Sequence, residues 1–175
     1  TVYFAEEMLK QSGRSLDGLR VSVSGSGNVA QYAVEKAMAL GAKVITLSDS
    51  DGTIVDEAGF TIEKLAELME VKNSQKARIS RYAERIKCNF IPERRPWHVP
   101  VDVALPCAVQ NELNDEDAET LIKNGVICVA EGANMPSTAE AVKRFERSGV
   151  LFAPGKASNA GGVATSGLEM SQNAM

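Results

Sequence analysis

Two glycines one residue apart, Gly25 and Gly27, lie where residue types and spacing first indicate chemistry. An alternating apolar segment ends at Val23 and a helical apolar pattern begins at Val29, so the glycines lie in a turn between a strand and a helix. Gly25 permits a tight turn, Gly27 lets backbone N–H groups approach a pyrophosphate, and Ala30 lets the helix lie close to the strand.

The helix expected after Gly27 is suited to an anion, because its first N–H groups are unpaired and its macrodipole is positive at that end. A second strand over residues 44–47 follows the helix stop at Gly41 and leads to Asp49. The separation between Gly25 and Asp49 in the sequence is close to the spacing of about 20 residues at which an acidic residue meets the adenosine ribose. The pattern predicts a dinucleotide-binding turn, and an ordinary tight turn in an α/β domain is the alternative.

Strands and helices alternate along the chain. This order predicts an α/β domain of the Rossmann-like, doubly wound type, with a mostly parallel sheet and helices on both faces. In such sheets, ligands bind beyond the carboxyl ends of the strands. The segments that follow predicted strand ends are residues 25–28, 48–51, 106–111, 131–136 and 154–162.

Asparagines recur in three of these segments, as Asn111, Asn134 and Asn159. A side-chain amide both donates and accepts hydrogen bonds, so it suits the carboxamide of a nicotinamide ring. Loop turns would explain one or two of these asparagines. Their recurrence at strand ends therefore favours a nicotinamide side to the predicted site.

Two helix starts are marked by capping residues. Thr61 is predicted to cap a helix whose basic continuation extends to Arg85. Ser137, with Glu140 three residues later, predicts a capping box for a helix over residues 137–147. The basic stretch has two interpretations, which are a ligand contact and a solvated helix face.

The chain has 175 residues, of which 44% are hydrophobic and 24% charged, and its formal net charge is −4. This length and composition favour one globular domain, and the acidic balance gives no electrostatic footprint for nucleic acid. No apolar run approaches the roughly 20 residues that span a bilayer, and no basic leader precedes an apolar stretch. We therefore expect a cytoplasmic protein without a membrane partner.

The cysteines and the single histidine show no metal-site pattern. Cys88, Cys107 and Cys128 are far apart in the sequence, which favours reduced thiols over a disulfide framework or a zinc site. His98 lies in a proline-rich, loop-like segment and is predicted to be a surface residue. Cys107 follows Pro106 at a strand end, but no base is identifiable near it, which argues against a nucleophile.

Three segments resemble signature sequences of the hexameric bacterial and fungal glutamate dehydrogenases. They are LPCAVQNE at 105–112, AEGANMP at 130–136 and APGKASNAGGVATSGLEMSQN at 153–173. Leucine and phenylalanine dehydrogenases share the fold, but residues 110–111 and 134–136 resemble the glutamate branch. The resemblance covers essentially the whole chain and implies reversible oxidative deamination of L-glutamate to 2-oxoglutarate and ammonia, with hydride transfer to a nicotinamide.

The resemblance also implies roles for individual residues. From the pyrophosphate through the adenosine ribose to the nicotinamide side, the implied cofactor contacts are Gly25, Ser26, Gly27, Asn28, Val29, Ser48, Asp49, Lys72, Arg78, Ala108, Gln110, Asn134 and Asn159. The implied lining of the pocket for the glutamate side chain is Val163 and Ser166.

In this family, a separate N-terminal domain carries the substrate-binding lysines and the acid/base aspartate. Residues 1–175 are therefore predicted to be the dinucleotide-binding domain, which contains no catalytic residue and binds cofactor without turnover. A homohexamer is implied for the full-length enzyme, and a monomer or weak dimer is expected for this chain. A stand-alone nucleotide-binding regulatory module and another amino-acid dehydrogenase are the alternatives.

The choice between NAD and NADP depends on the residues after the second strand. An acidic residue there favours NAD, because it accepts a hydrogen bond from the 2′-hydroxyl and repels a 2′-phosphate, and Asp49 and Asp51 meet this rule. The Ser-Asp-Ser sequence at 48–50 is nevertheless similar to that of NADP-dependent members of the family, in which basic residues on the following helix meet the phosphate. Lys72 and Arg78 match those positions, so NADP is predicted and NAD is the alternative.

Overall fold

A seven-stranded sheet crosses the computed structural model, which describes residues 1–174. Its strands are β1 (Arg20–Val23), β2 (Lys43–Asp49), β3 (Gly52–Val55), β4 (Asn89–Pro92), β5 (Val103–Leu105), β6 (Cys128–Ala130) and β7 (Leu151–Ala153). They lie in the order β4-β3-β2-β1-β5-β6-β7. The pairs β2–β1, β1–β5, β5–β6 and β6–β7 are parallel, and β3 is antiparallel to both of its neighbours, β2 and β4. The predicted mostly parallel α/β fold is confirmed.

Helices connect the strands and cover both faces of the sheet. They are α1 (Val2–Gln11), α2 (Asn28–Ala39), α3 (Ile62–Met69), α4 (Ile79–Ile86), α5 (Asp115–Lys123), α6 (Ala139–Ser148), α7 (Gly155–Ser158) and α8 (Ala160–Asn173). Two short turns of helix complete the set, a π-helical turn at Glu70–Ser74 and a 3-10 turn at Pro96–His98.

Alternate residues of the buried strands belong to different halves of the core. In β5, Val103 and Leu105 pack in the cluster that contains Val34 of α2, whereas Ala104 packs in the cluster that contains Phe145 of α6. This alternation follows from the two-residue period of a strand, and it requires helices on both faces. The packed helices fix the strand ends, from which the functional loops emerge.

The helix predicted to continue to Arg85 is interrupted. After α3 the chain forms the π-helical turn, Lys76 adopts a left-handed φ of 51°, and α4 begins as a separate helix. The N–H of Ile79, in the first turn of α4, donates a hydrogen bond to the carboxylate of Asp49 at 2.9 Å. The helix is thus interrupted where the chain contacts the end of β2. The periodicity of the apolar residues alone does not indicate this interruption.

The two predicted N-caps have different outcomes. Thr61 caps α3 with its side chain, as predicted. The cap predicted at Ser137 is wrong, because α6 is capped by Thr138, whose Oγ1 accepts the N–H of Ala141 at 3.3 Å. The Ser137 N–H instead donates to the buried Glu131 carboxylate at 3.3 Å, and its hydroxyl has no hydrogen-bond partner in the described chain.

The last helix, α8, contributes nothing to the core. All of its residues are exposed, including the apolar side chains of Val163, Leu168 and Met170. Among the helices described in residues 1–174, none combines the length and the apolar character that crossing a membrane requires.

Alanine substitutions at two adjacent residues test the position of the α6 cap. Thr138→Ala removes the oxygen that accepts the Ala141 N–H, so we expect the free energy of unfolding to fall by about 1 kcal/mol. Ser137→Ala removes a buried, unpaired hydroxyl and is expected to leave that free energy unchanged or to raise it. Urea unfolding of both variants measures the difference, and a larger loss in Ser137→Ala would contradict the assignment.

Candidate functional site

A cleft of about 810 Å³ opens where β1, β2 and β5 end. This volume is within the range of small-molecule sites, roughly 300–1,000 Å³. The walls come from the glycine turn, the loops after β2, β4 and β5, and the basic segment between α3 and α4. The lining residues are Gly25, Ser26, Gly27, Asn28, Val29, Ser48, Asp49, Ser50, Lys72, Arg78, Glu93, Arg94, Arg95, Cys107, Ala108, Val109 and Glu112.

Gly25 lets the loops after β1 and β5 approach each other closely. Its φ is 84°, and a Cβ at this position would lie 2.9 Å from the carbonyl oxygen of Cys107 and 3.2 Å from the Cα of Ala108. The Gly25 N–H donates to Ser48 Oγ at 3.0 Å, and the Ser48 N–H donates back to the Gly25 carbonyl at 3.1 Å. Gly25 therefore joins the ends of three adjacent strands.

The first turn of α2 borders the cleft with exposed backbone. Gly27 is the N-cap residue and is extended, and no side chain of the described chain caps the helix. A Cβ at Gly27 would meet no atom within 4 Å. Ala30, the third small residue of the turn, is fully buried in the core. This helix start has the open backbone and the positive dipole end that bind an anion.

Three donors share the carboxylate of Asp49 at the end of β2. Lys72 Nζ lies 2.7 Å from Oδ2, the Ile79 N–H donates to the same oxygen at 2.9 Å, and the Asp51 N–H donates to Oδ1 at 2.8 Å. Burial by itself would raise the pKa of Asp49, but the hydrogen bonds from these donors outweigh it and lower the pKa. Asp49 is therefore an ionised, fully paired group that holds Lys72 at the cleft.

Arg78 brings a second cation to the same end of the cleft. Its Nη1 donates to Ser50 Oγ, and its Nε lies 3.7 Å from Asp51 Oδ1. Asp51 is held in turn by the hydroxyl of Ser80 at 3.0 Å. Because 63% of the Arg78 side chain is exposed, its guanidinium can turn toward a ligand with little loss of packing.

Glu112 closes the cleft beside β5. The residue is 2% exposed, and its Oε1 accepts the Ala108 N–H at 2.9 Å. Burial raises the pKa of Glu112, although hydrogen bonds from Ser24 and the Ala108 backbone oppose the shift. Its backbone carbonyl accepts from Trp97 Nε1 at 3.2 Å and from Arg95. One buried residue thus holds the loop after β5 and the arginine segment after β4.

Cys107 and His98 do not form a catalytic pair. Burial raises the pKa of Cys107 to about 12, so this thiol is protonated and unreactive at neutral pH. His98 is only partly exposed at the surface where it was predicted, with Nδ1 2.9 Å from the Arg95 carbonyl and a buried Nε2 that lacks a partner in the described residues. Burial lowers the pKa of His98. Residues 1–174 contain no group of three His, Cys, Asp or Glu side chains arranged to hold a metal ion.

Glu131 and Asn159 join the two segments that follow β6 and β7. Glu131 is 4% exposed, and its carboxylate accepts the N–H of Gly155 at 2.7 Å and that of Ser137 at 3.3 Å. Asn159 Nδ2 donates to the Ala133 carbonyl at 3.0 Å. These contacts hold the segments together at the same edge of the sheet.

The family model described as Glutamate/Leucine/Phenylalanine/Valine dehydrogenase matches residues 1–175. The chain belongs to this dehydrogenase family. Its sequence is 64% identical over 173 residues to the NADP-specific glutamate dehydrogenase of Escherichia coli K12, an alignment that covers 99% of this chain and 39% of the relative.

Two further relatives extend the comparison. The NAD(P)-specific glutamate dehydrogenase of Xylanibacter ruminicola is 57% identical over 172 residues, covering 98% of the chain and 39% of the relative. The crystal structure of Plasmodium falciparum glutamate dehydrogenase matches with a TM-score of 0.93 at 47% identity, covering 98% of the chain and 37% of that structure. The chain therefore spans about two-fifths of the length of these relatives.

The cleft brings together most, but not all, of the predicted site residues. Those in its lining are Gly25, Ser26, Gly27, Asn28, Val29, Ser48, Asp49, Lys72, Arg78 and Ala108. Gln110 and Asn134 are exposed on loops outside the lining. Asn159 borders a second cavity of about 380 Å³, which shares Val29 with the main cleft. Val163 and Ser166 lie on the exposed α8, outside the lining of both cavities.

Several lining residues were not predicted from the sequence, and the largest group is Glu93, Arg94 and Arg95 after β4. The rule for parallel strands did not select this segment, because β4 belongs to the antiparallel part of the sheet. Two successive antiparallel pairings give β4 the direction of β2, so both strands end at the same edge. The three consecutive charged residues after this short strand were the feature of the sequence that could have indicated a ligand contact.

Two glycines with positive φ provide a test of the close approach at the cleft floor. Gly125 has a φ of 89° with no atom within 4 Å of a Cβ, so Gly125→Ala is expected to lower the free energy of unfolding by only about 1–2 kcal/mol of backbone strain. Gly25→Ala adds the clash with the Cys107 carbonyl and should cost about 1–3 kcal/mol more. Urea unfolding compares the two variants, and equal losses would mean that the loops separate freely.

Proposed function

We propose that this chain is the cofactor-binding domain of an NADP-dependent glutamate dehydrogenase, an oxidoreductase that deaminates L-glutamate reversibly to 2-oxoglutarate and ammonia. The observation that carries the proposal is the pairing of Asp49 with Lys72, 2.7 Å apart, beside Arg78 at one end of the cleft. The E. coli relative, 64% identical, is named NADP-specific glutamate dehydrogenase, which supports the same cofactor and substrate here.

The lining of the cleft supports a dinucleotide as its ligand. The backbone of residues 25–29, which is exposed at 27–29, would hold the pyrophosphate at the N-terminus of α2. Ser48 and Asp49 would lie at the adenosine ribose, and Ala108 would lie toward the nicotinamide. When bound, the cofactor supplies the hydride-transfer chemistry.

The bonding of Asp49 favours a 2′-phosphate over a free 2′-hydroxyl. A carboxylate selects NAD when its oxygens are available to the ribose and its charge repels a phosphate. Here Lys72 balances the charge, and two backbone N–H groups occupy further lone pairs. The hydroxyl of Ser50 and the guanidinium of Arg78 then present hydrogen-bond donors to a phosphate.

The nicotinamide and substrate side is the less enclosed part of the proposed site. Gln110 and Asn134 would lie at the ribose and nicotinamide side, and Asn159 would contact the nicotinamide or the substrate. Val163 and Ser166 would line the glutamate pocket. The exposure of α8 supports completion of this pocket by polypeptide outside the chain, which would carry the substrate lysines and the acid/base group. The 175 residues would then bind cofactor without turnover, as a monomer or weak dimer, and the full-length enzyme would be a homohexamer.

An NAD-linked or dual-specificity enzyme is the second candidate. The X. ruminicola relative, at 57% identity, is named NAD(P)-specific, so a high overall identity does not by itself decide the cofactor. The contacts of Asp49, Lys72 and Arg78 are therefore the features to test.

Calorimetric titration of the 175-residue chain with NADPH and with NADH tests cofactor choice. We expect tighter binding of NADPH, and Arg78→Ala should weaken NADPH binding about 10- to 100-fold, because a hydrogen bond to a charged group contributes roughly 1.5–3 kcal/mol. NADH affinity should stay within about twofold. Lys72→Ala should weaken NADPH binding and should free Asp49 to accept from a 2′-hydroxyl.

The matched control is Lys76→Ala, which removes a cation from the same segment but outside the residues that line the cleft. This variant should bind both dinucleotides as the wild type does. Tighter binding of NADH than of NADPH, persisting in Lys72→Ala, would exclude the NADP assignment.

The substrate proposal is tested on the full-length protein that contains this chain. With NADP, we expect oxidation of L-glutamate and no comparable oxidation of L-leucine, measured as NADPH absorbance. Turnover of leucine at the rate of glutamate or faster would assign the protein to another branch of the family. Absence of turnover with all four amino acids named by the family would instead favour a regulatory nucleotide-binding module.

A further inference from the structure

A reciprocal amide pair joins α2 to the segment that carries Lys72. Gln31 Nε2 donates to Asn73 Oδ1 at 3.1 Å, and Asn73 Nδ2 donates to Gln31 Oε1 at 3.1 Å. Gln31 is only 1% exposed, whereas Asn73 is an exposed residue of the π-helical turn. The two residues are far apart in the sequence, so this pair is a tertiary contact and not part of a local turn.

Each partner of the pair lies beside a different part of the cleft. Gln31 Nε2 also donates to the carbonyl of Ser26 at 2.8 Å, so it holds the glycine turn directly. Asn73 follows Lys72, whose Nζ lies 2.7 Å from Asp49. The amide pair therefore connects the anion-binding turn with the lysine at the opposite end of the same cleft.

Other contacts anchor the π-helical turn in the core and within the turn itself. Val71 is fully buried in the core, and its carbonyl accepts the Ala77 N–H at 3.0 Å. The Ser74 hydroxyl donates to Glu70 within the turn at 2.9 Å. Lys72 reaches the glycine turn through Asp49 and the hydrogen bonds between Ser48 and Gly25. The contact between Gln31 and Asn73 adds a second link, through α2 and the Ser26 carbonyl.

We propose that the Gln31–Asn73 pair is a positioning device that sets Lys72 relative to the pyrophosphate turn and thereby contributes to selection of a 2′-phosphorylated dinucleotide. The inference rests on the proposed function, because it concerns the same cleft. A ligand that carries both a pyrophosphate and a 2′-phosphate must meet both ends at once, so its affinity depends on the distance between them. A ligand without the 2′-phosphate uses only the pyrophosphate end.

Truncation of Asn73 separates these two effects. In Asn73→Ala, Gln31 keeps its hydrogen bond to the Ser26 carbonyl, so the glycine turn retains its support. Lys72 loses a neighbouring restraint, and we expect the Kd for NADPH to rise roughly three- to tenfold, the effect of about one hydrogen bond. The Kd for NADH should change less than about twofold.

The control variant is Ser74→Ala, which removes the adjacent side-chain hydrogen bond of the same turn but leaves the amide pair intact. It should leave both dissociation constants unchanged. Because Asn73 and Ser74 are both exposed, both variants should unfold thermally within a few degrees of the wild type. Calorimetric titration of the 175-residue chain with NADPH and NADH provides the dissociation constants.

A double-mutant cycle distinguishes positioning of Lys72 from a general structural effect. In a Lys72→Ala background, Asn73→Ala should have no further effect on the Kd for NADPH, because the group it positions is absent. An unchanged preference for NADPH in Asn73→Ala, an equal loss for both dinucleotides, or the same loss in the Lys72→Ala background would each overturn the inference. If the wild-type chain does not prefer NADPH, the proposed function fails and this inference fails with it; if it does, the result for Asn73→Ala judges the inference alone.

Discussion

Buried or half-buried carboxylates that accept backbone N–H groups hold the cleft edge of the sheet in place. Asp49 accepts from Asp51 and Ile79, Glu112 accepts from Ala108, and Glu131 accepts from Ser137 and Gly155. Loops at strand ends leave backbone donors without ladder partners, and an unpaired buried N–H costs about 1–3 kcal/mol. A carboxylate can satisfy two such donors at once, so one side chain fixes a loop and a following helix together.

The same arrangement explains why glycine is required where the strand ends converge. Once Glu112 holds the loop after β5, the Cys107 carbonyl lies against the turn after β1, and Gly25 is the residue whose lack of a Cβ permits the contact. The hydrogen bonds between Gly25 and Ser48 extend the contact to β2. The cleft is therefore preorganised by the protein, which reduces the conformational entropy that its loops must lose when a ligand binds.

The sequence predicted those features that depend on local pattern, and it missed those that depend on tertiary contacts. The glycine turn, the mostly parallel sheet and the α3 cap at Thr61 follow from residue types at fixed spacing. The cap of α6 at Thr138 does not, because Ser137 is drawn inward by Glu131 across a loop. The half-buried position of His98 also depends on packing of a loop that composition describes only as proline-rich. Contacts of Gln110 and Asn134 stay predictions, since these residues lie on exposed loops outside the cleft lining.

Asp49 shows why a residue at a motif position has no fixed chemical meaning. Its type and spacing are readable in the sequence, and by themselves they favour a 2′-hydroxyl. Its bonding depends on the break between α3 and α4, which directs Lys72 and the Ile79 N–H onto one carboxylate oxygen. The π-helical turn thus makes an acidic residue the ion-pair partner of Lys72 and the acceptor for the first turn of α4, so the chemistry of this edge depends on the backbone path as well as on the identity of the side chain.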